Sequence, residues 1–440
     1  MRKLGSIYLL AVILISPLFF AAEAEADIGV GISLEKLGIL TTPGTGARPY
    51  GMGLAYSSVS DDAFALLYNP AGLARVRVNE LSVGLHHTSR DVTSGYESLE
   101  SMQSGSYTSF SNLAFAYPYP AYRGSLVMSF GVFRTGSSDL DTYKNGYLSD
   151  IPATSENSYT QSGNIYQYHF GIGAEVTPNI SLGASLVLWD ESIDFTDQIT
   201  YEDAGSLAVY TDAVSLDLDG FSFNVGMMLR FNEILGAGFM FSSPAWLNYE
   251  GSGYLTYDGI YYEGPYVDWT YDESGLIDED YTLPMRFRGG ASAQLAPLLV
   301  SFDLEYIDYS QTKYNGKRLI DDLSPGRPPV FDSVWNIFVG AELTLPNFPV
   351  SLRGGYNYAP LAISTMEEIV FIEDDMLVSY IGDAKVIRER QNYSFGAGVI
   401  IDEILAIDAA MSFGSFERET DYSAEKQETM EFIMTGTYMF

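Results

Sequence analysis

The chain has 440 residues, 57 acidic against 23 basic for a formal net charge of −34, and no cysteine. The missing thiols exclude disulfides, thiolate metal centres and lipidation at an N-terminal cysteine, and the negative field opposes binding to nucleic acid. With 42 glycines, 33 tyrosines and only 18% charged residues, the composition argues for one large domain, and no apolar run after residue 24 is long enough for a spanning helix, so any membrane crossing must be by closed sheet.

Residues 1–24 read as a secretory signal peptide. Arg2 and Lys3 precede an apolar run from Leu4 to Phe20, and Ala22-Glu23-Ala24 follows as a cleavage site. Cuts after Ala22 or Ala26 are alternatives, and the run is short for an uncleaved anchor.

Residues 25–78 form a second unit, a periplasmic or lumenal hatch with a short helix. Asp61 or Asp62 can cap a helix through Ala63, Phe64, Ala65, Leu66, Leu67 and Tyr68. Asn69-Pro70 breaks it and Gly72 lets the chain reverse. The apolar helix face needs cover, so residues 43–74 are expected to plug a lumen rather than rest below its rim.

From 79 to 440 the pattern is that of an outer-membrane barrel: all-β, antiparallel, transmembrane, with about 14 strands. Segments of about 10 residues alternate apolar and small or polar side chains. In one, Phe221, Phe223, Val225, Met227, Leu229 and Phe231 oppose Ser222, Asn224, Gly226 and Arg230. The candidate strands are 79–88, 107–119, 124–135, 164–177, 179–195, 215–232, 234–243, 282–296, 298–312, 332–346, 349–359, 389–401, 403–418 and 428–440. Tight connections such as Asn232-Glu233 and Asp402-Glu403 alternate with long ones such as 136–163, 244–281 and 360–388. This is the short periplasmic turn and long external loop of membrane barrels. The last strand ends on Tyr438 and Phe440, an aromatic terminus like that read by the outer-membrane assembly machinery, which is an expected partner along with outer-membrane lipid. A soluble β-sandwich would not need so regular an asymmetry of loop length.

The connection 244–281 carries nine carboxylates and eight tyrosines between Asn248 and Leu283, without lysine or arginine. An external hairpin over Tyr254–Tyr262 is expected there. The acidic stretch 250–280 offers oxygens for Ca²⁺ or Mg²⁺, although no spacing matches a dedicated calcium loop and a solvated acidic loop is the simpler reading. Otherwise no cofactor is implied. Strand parity over 282–296 points Leu283, Met285 and Phe287 at lipid, and Arg286 and Arg288 at the lumen. Arg230 and Arg353 point inward by the same test, as do Asp303 and Glu305. These charges are expected to form internal ion pairs, with one arginine left for an anionic substrate head. His86 and His87 must face opposite sides of one strand, so with His169 they make no metal signature. No catalytic triad or phosphate loop is present, and no enzyme is expected.

The hatch carries a resemblance. Gly46-Ala47-Arg48, Gly51-Met52-Gly53-Leu54-Ala55-Tyr56, Asp61-Asp62-Ala63 and Tyr68-Asn69-Pro70-Ala71-Gly72-Leu73-Ala74 resemble the N-terminal hatch of the FadL/TodX superfamily of outer-membrane hydrophobic-compound transporters. Leu283 to Gly290 and Asp303-Leu304-Glu305-Tyr306 are similar to its later strands. The resemblance implies uptake of long-chain fatty acids or aromatic hydrocarbons: capture by external loops, entry to a lumenal pocket and exit through a lateral opening. It places the gate at Asn69, Pro70, Ala71 and Gly72 and a kink of the third strand near Gly131 to Gly136. The same hatch pattern is typical of PorV-like barrels, which serve protein secretion. The expected function is therefore passive uptake of a hydrophobic small molecule, with a protein-binding secretion role or a structural barrel as alternatives.

Overall fold

The computed structural model describes residues 44–440 apart from 97–98, 138, 149–152, 203–205, 262–267, 319–332, 361–365, 374–375 and 421–422. The expected signal peptide lies outside the described residues. Fourteen antiparallel staves close into a barrel. They are β1 (Glu80–Tyr96), β2 (Leu99–Tyr119), β3 (Leu126–Ser137, continued by Leu140–Leu148), β4 (Ala153–Thr177), β5 (Ile180–Glu202), β6 (Ser206–Arg230), β7 (Leu235–Ser242, continued by Ala245–Tyr261), β8 (Asp268–Leu283, continued by Arg286–Leu295), β9 (Leu298–Asp308), β10 (Ser333–Thr344), β11 (Val350–Tyr358), β12 (Met376–Ile401), β13 (Leu405–Thr420) and β14 (Ser423–Met439). β1 pairs with β14 from Glu80↔Met439 to Tyr96↔Ser423. Asn79 and Phe440 exchange backbone hydrogen bonds of 3.1 and 3.0 Å at the periplasmic end of that seam.

Alternation builds the wall. Leu81, Val83 and Leu85 on β1, Leu182, Leu186 and Leu188 on β5, and Phe432, Met434 and Tyr438 on β14 all stand exposed on the outside. Such a continuous apolar band suits lipid and not water. No helix among the described residues is long and apolar enough to cross a membrane; the strands do the crossing, and the chain is an outer-membrane β-barrel.

The staves run past the lipid band. β5 and β6 stay paired from Ile180↔Leu229 to Glu202↔Leu207, about twice the roughly 10 residues a crossing needs. The connection 244–281 is therefore strand for most of its length, not a loop with a small hairpin. The reason lies in parity. Beyond Ser242 and before Arg286 the apolar side chains turn inward: Leu247, Tyr249, Ile277 and Tyr281 are buried, whereas Glu250, Asp278 and Asp280 face out. Above the membrane the outer face meets water, so the pattern inverts. Leu283, expected to face lipid, belongs to this inner set at 7% exposure. The chain resets at Pro284, so that Met285 and Phe287 face lipid while Arg286 and Arg288 point in.

The hatch fills the lower lumen as a plug. Its helices are α1 (Ala47–Gly51) and α2 (Ala65–Tyr68), followed by a 3₁₀ turn over Pro70–Arg75. The Asp62 side chain accepts from the Phe64 amide at 3.0 Å, and the Asn69 side chain accepts from Ala71 at 3.2 Å to start the 3₁₀ turn. Met52, Tyr56, Leu66, Tyr68 and Leu73 are almost wholly buried.

Candidate functional site

The small inward residues of the wall hold the hatch. A ladder of inward glycines runs around it: Gly173 pairs with Gly183, Gly183 with Gly226, Gly238 with Gly290, and Gly340 with Gly355. A Cβ on Gly183 would lie 2.3 Å from the Pro70 carbonyl, on Gly226 2.0 Å from Asn69 Oδ1, and on Gly355 2.0 Å from the Gly53 nitrogen. Wall backbone and hatch backbone thus touch directly, which no side chain would permit.

Polar clamps complete the seat. Asp303, wholly buried, accepts from the amides of Tyr56 and Ser57 at 3.0 and 2.9 Å and from Arg288 Nε at 3.0 Å through one oxygen. Arg288 also donates to the Leu54 carbonyl and lies 4.1 Å over the Phe338 ring. Arg48 of the hatch and Arg353 of β11 both donate to Glu342, at 3.0 and 2.6 Å, and Arg353 bonds Asp408 at 2.6 Å.

The four candidate arginines therefore part company. Arg288 and Arg353 are committed to ion pairs. Arg230 keeps the inward parity but sits exposed at the periplasmic rim, below the plug and away from any lumenal pocket. Arg286 is half-buried, faces the lumen above the plug, and has no ion pair or hydrogen bond among the described residues. The structural reading of internal pairing accounts for two of the four.

Asn69, Pro70, Ala71 and Gly72 are buried and lie against β4, β5 and β6, where the Asn69 amide donates to the carbonyls of Ser57 and Met227 at 2.8 and 3.2 Å. The hatch residues that face β3 are instead Phe64, 6.1 Å from the Phe133 ring, and Leu66, against Gly131.

The third stave is irregular in its upper part. Its pairing with β2 runs from Tyr119↔Leu126 only to Asn112↔Phe133, and its register with β4 slips between Arg134 and Gly136. Gly136 marks this bulge; Gly131 lies below it in regular ladder with Ala114 and His169. Beyond the bulge, Leu140–Leu148 pairs with β4 and crosses the inner faces of β1 and β2, where the Tyr143 carbonyl accepts from Ser94 at 3.1 Å and from Ser101. Among the described residues, the wall between β2 and β3 above Phe133 is an overlap held by side chains, without backbone pairing.

Arg134, 4% exposed, pins that overlap. It contacts Asn164 on β4, His86 on β1 at 3.3 Å and Asp139 at 3.6 Å. His86 continues to Glu431 on β14 at 3.3 Å. Sequence reasoning passed over Arg134 and weighed His86 only as a metal ligand; the signal was a charge and an imidazole at inward positions of wall strands. His86 and His87 do face opposite sides, with His87 bonding Thr108 at 2.8 Å.

Above the plug, the inner faces of β4 to β10 form an apolar chamber that includes Val187, Trp189, Ile193, Leu218, Leu247 and Ile307. Each is buried, Trp189 the most exposed at 8%, so the side chains close over one another. An open cleft of about 630 Å³ adjoins its outer end, lined by Phe195, Val214, Ser215, Gly253, Tyr254 and Leu276. No group of three or more metal-binding side chains occurs among the described residues, although 262–267 of the acidic stretch lie outside them.

Residues 28–296 match the family model described as BamG. The chain belongs to the BamG family. No curated protein matches it, but solved structures share its fold. The Pseudomonas putida toluene transporter TodX is 15% identical, with a TM-score of 0.64 over 91% of this chain and 99% of that one. The Ralstonia pickettii toluene transporter TbuX is 15% identical, with a TM-score of 0.61 over 91% and 100%. A Pseudomonas aeruginosa FadL homologue is 13% identical, with a TM-score of 0.61 over 91% and 99%. This BamG-family barrel therefore shares the fold of the FadL-type barrels, with its N-terminal region as a plug.

One hatch carboxylate gives the BamG-family plug a pH dependence. Burial pushes Asp62 from 3.8 up to about 6, with Asp61 adding to the rise and Arg48 and the Tyr56 hydroxyl opposing it. The unfolded chain loses this proton near 3.8 and the folded chain near 6, so between those values the folded state holds more protons. Stability falls as pH rises through that window. The wild-type chain is expected to unfold at lower temperature at neutral pH than at mildly acidic pH, and Asp62→Asn to shrink the difference.

Proposed function

We propose that this barrel is a passive outer-membrane channel for hydrophobic small molecules, which enter at the outer cleft, pass the apolar chamber and leave sideways through the β2–β3 overlap. The observation that carries this is the unpaired overlap above Phe133, lying next to an apolar lumen that a plug closes from below. A lumen of closed apolar side chains excludes water and ions but yields to an apolar solute at little desolvation cost. The plug, seated backbone to backbone, leaves a lateral exit as the shorter route. In this reading Arg286, inward and without an ion pair among the described residues, donates to a polar group on a solute that has cleared the chamber. The FadL-type neighbours, two of them toluene transporters, support the same reading, in which Asn69 to Gly72 anchor the gate and Phe64 and Phe133 line it.

The test is uptake of labelled toluene and oleate by cells lacking the chain and by cells in which it is restored. Restoration is expected to raise uptake of at least one. Arg134→Ala, which unpins the overlap, should change that rate several-fold, and equal uptake in all strains would sink the channel reading. The sealed interior favours one second reading, a protein-partner role at the outer membrane. It would gain ground if loss of the chain lowered the amounts of other barrel proteins while uptake stayed unchanged.

A further inference from the structure

The outer chamber is not uniformly apolar. Strand register sets its inner side chains in rows across β5, β6, β7 and β8. Trp189, Gly220, Leu247 and Tyr281 form one row. The next outward holds Glu191, Leu218, Tyr249 and Glu279, and the next Ile193, Leu216, Gly251 and Ile277. A polar row is thus bracketed by two apolar ones. Tyr249 is 1% exposed and its hydroxyl has no hydrogen-bond partner among the described residues. Glu191 is 2% exposed in the same row and acts electrostatically on the Tyr249 phenol. Glu279 accepts from the hydroxyls of Tyr281 and Tyr314.

A buried hydroxyl left without a partner is costly and is seldom kept without a use. Here it lies between two carboxylates, in the path from the outer cleft toward the hatch. We infer that this row is a selectivity filter for neutral amphiphiles bearing a hydroxyl group, long-chain alcohols and phenols, and that it turns carboxylates away. The inference rests on the channel reading and narrows its substrate. A ligand hydroxyl both donates and accepts, so it can accept from Tyr249 and donate to a carboxylate of the row. A ligand carboxylate entering the same dry chamber meets like charge in a low-dielectric surrounding, where repulsion is strong. A pure hydrocarbon passes without a penalty and leaves Tyr249 unsatisfied.

Trp189 lies in the adjoining row, with its indole N–H on Ser222 at 3.0 Å, and serves as the reporter. The full chain in detergent is titrated with a terminally brominated long-chain alcohol, the matched carboxylate in its ionised form, and the bromoalkane. The quenching attributed to the chamber is the part lost in Trp189→Phe. The alcohol is expected to half-saturate at about tenfold lower concentration than the carboxylate. Tyr249→Phe, which removes only the orphan hydroxyl and so does not threaten folding, should erase most of that advantage. Glu191→Gln should bring the carboxylate closer to the alcohol. Equal binding of alcohol and carboxylate while the bromoalkane still quenches overturns the filter alone; so does a preference unchanged in both variants. Failure of all three probes to quench overturns the channel reading and the filter with it.

Discussion

Replacing Asp303 with alanine is expected to destabilise the barrel by about 3–5 kcal/mol, the loss typical when one member of a buried ion pair is removed. Two hatch amides, those of Tyr56 and Ser57, lose their acceptor together with Arg288. The guanidinium, 4% exposed, is then left as an uncompensated charge beside Phe338. Thermal unfolding in detergent measures the loss, and limited proteolysis should find the hatch cut before the wall. The double replacement Asp303→Leu with Arg288→Leu should recover part of the stability, because it removes the stranded charge, but not the protease resistance, because the amides stay unanswered. Full resistance in Asp303→Ala would show that the glycine contacts alone seat the plug.

Gly226→Ala should be nearly as damaging. Its added methyl would stand 2.0 Å from Asn69 Oδ1 and 3.0 Å from the Pro70 ring, so either the wall bows or the Asn69 turn lifts. Overpacking of this kind costs about 1–3 kcal/mol or more, here with loss of the Asn69 bonds to Ser57 and Met227. Gly354 and Gly436 are the controls, since nothing lies within 4 Å of a Cβ built there. Gly354→Ala and Gly436→Ala should be neutral or slightly stabilising, because alanine loses less chain freedom on folding than glycine does. Unfolding temperatures of the three variants decide the matter, and equal values for all of them would mean that the hatch floats free of the belt.

Much of this architecture was legible in the residues. Lipid-facing alternation such as Phe221 to Phe231 fixes a strand and its inner face together, because both solvents are strong and opposite. The stave count and the periplasmic turns follow from it. The outer halves of β5 to β8 were harder to read. Past the lipid the sheet has water outside and its own apolar neighbours inside, so Leu247, Tyr249 and Ile277 alternate in the opposite sense to Phe223 and Val225, and the charged outer face imitates a loop. The inversion at Pro284 put Leu283 on the wrong side for the same reason. At the site, parity placed Arg286 and Arg288 in the lumen but could not say which was spent. That depends on Asp303, fifteen residues away in the chain and reached only diagonally across the register, in which it stands opposite Gly290 while Arg288 faces Glu305. Arg134 gave little warning because its partners, His86 and Asn164, come from separate staves. The hatch motif marked Asn69 and Pro70 as important, but it did not show that they grip β4 to β6 while Phe64 faces the kink.

The glycine belt also bears on the order in which the molecule is put together. Once β1 has zipped to β14, a plug whose main chain rests on the main chain of the wall has no room to be threaded in from either mouth. The hatch must be cradled by the inner staves while the barrel is still an open, curling sheet, and the β1–β14 seam must close around it last. Whatever delivers this protein to the membrane therefore has to keep the first and last strands apart until residues 44–79 are in place, so the plug is the mould on which the cylinder is cast.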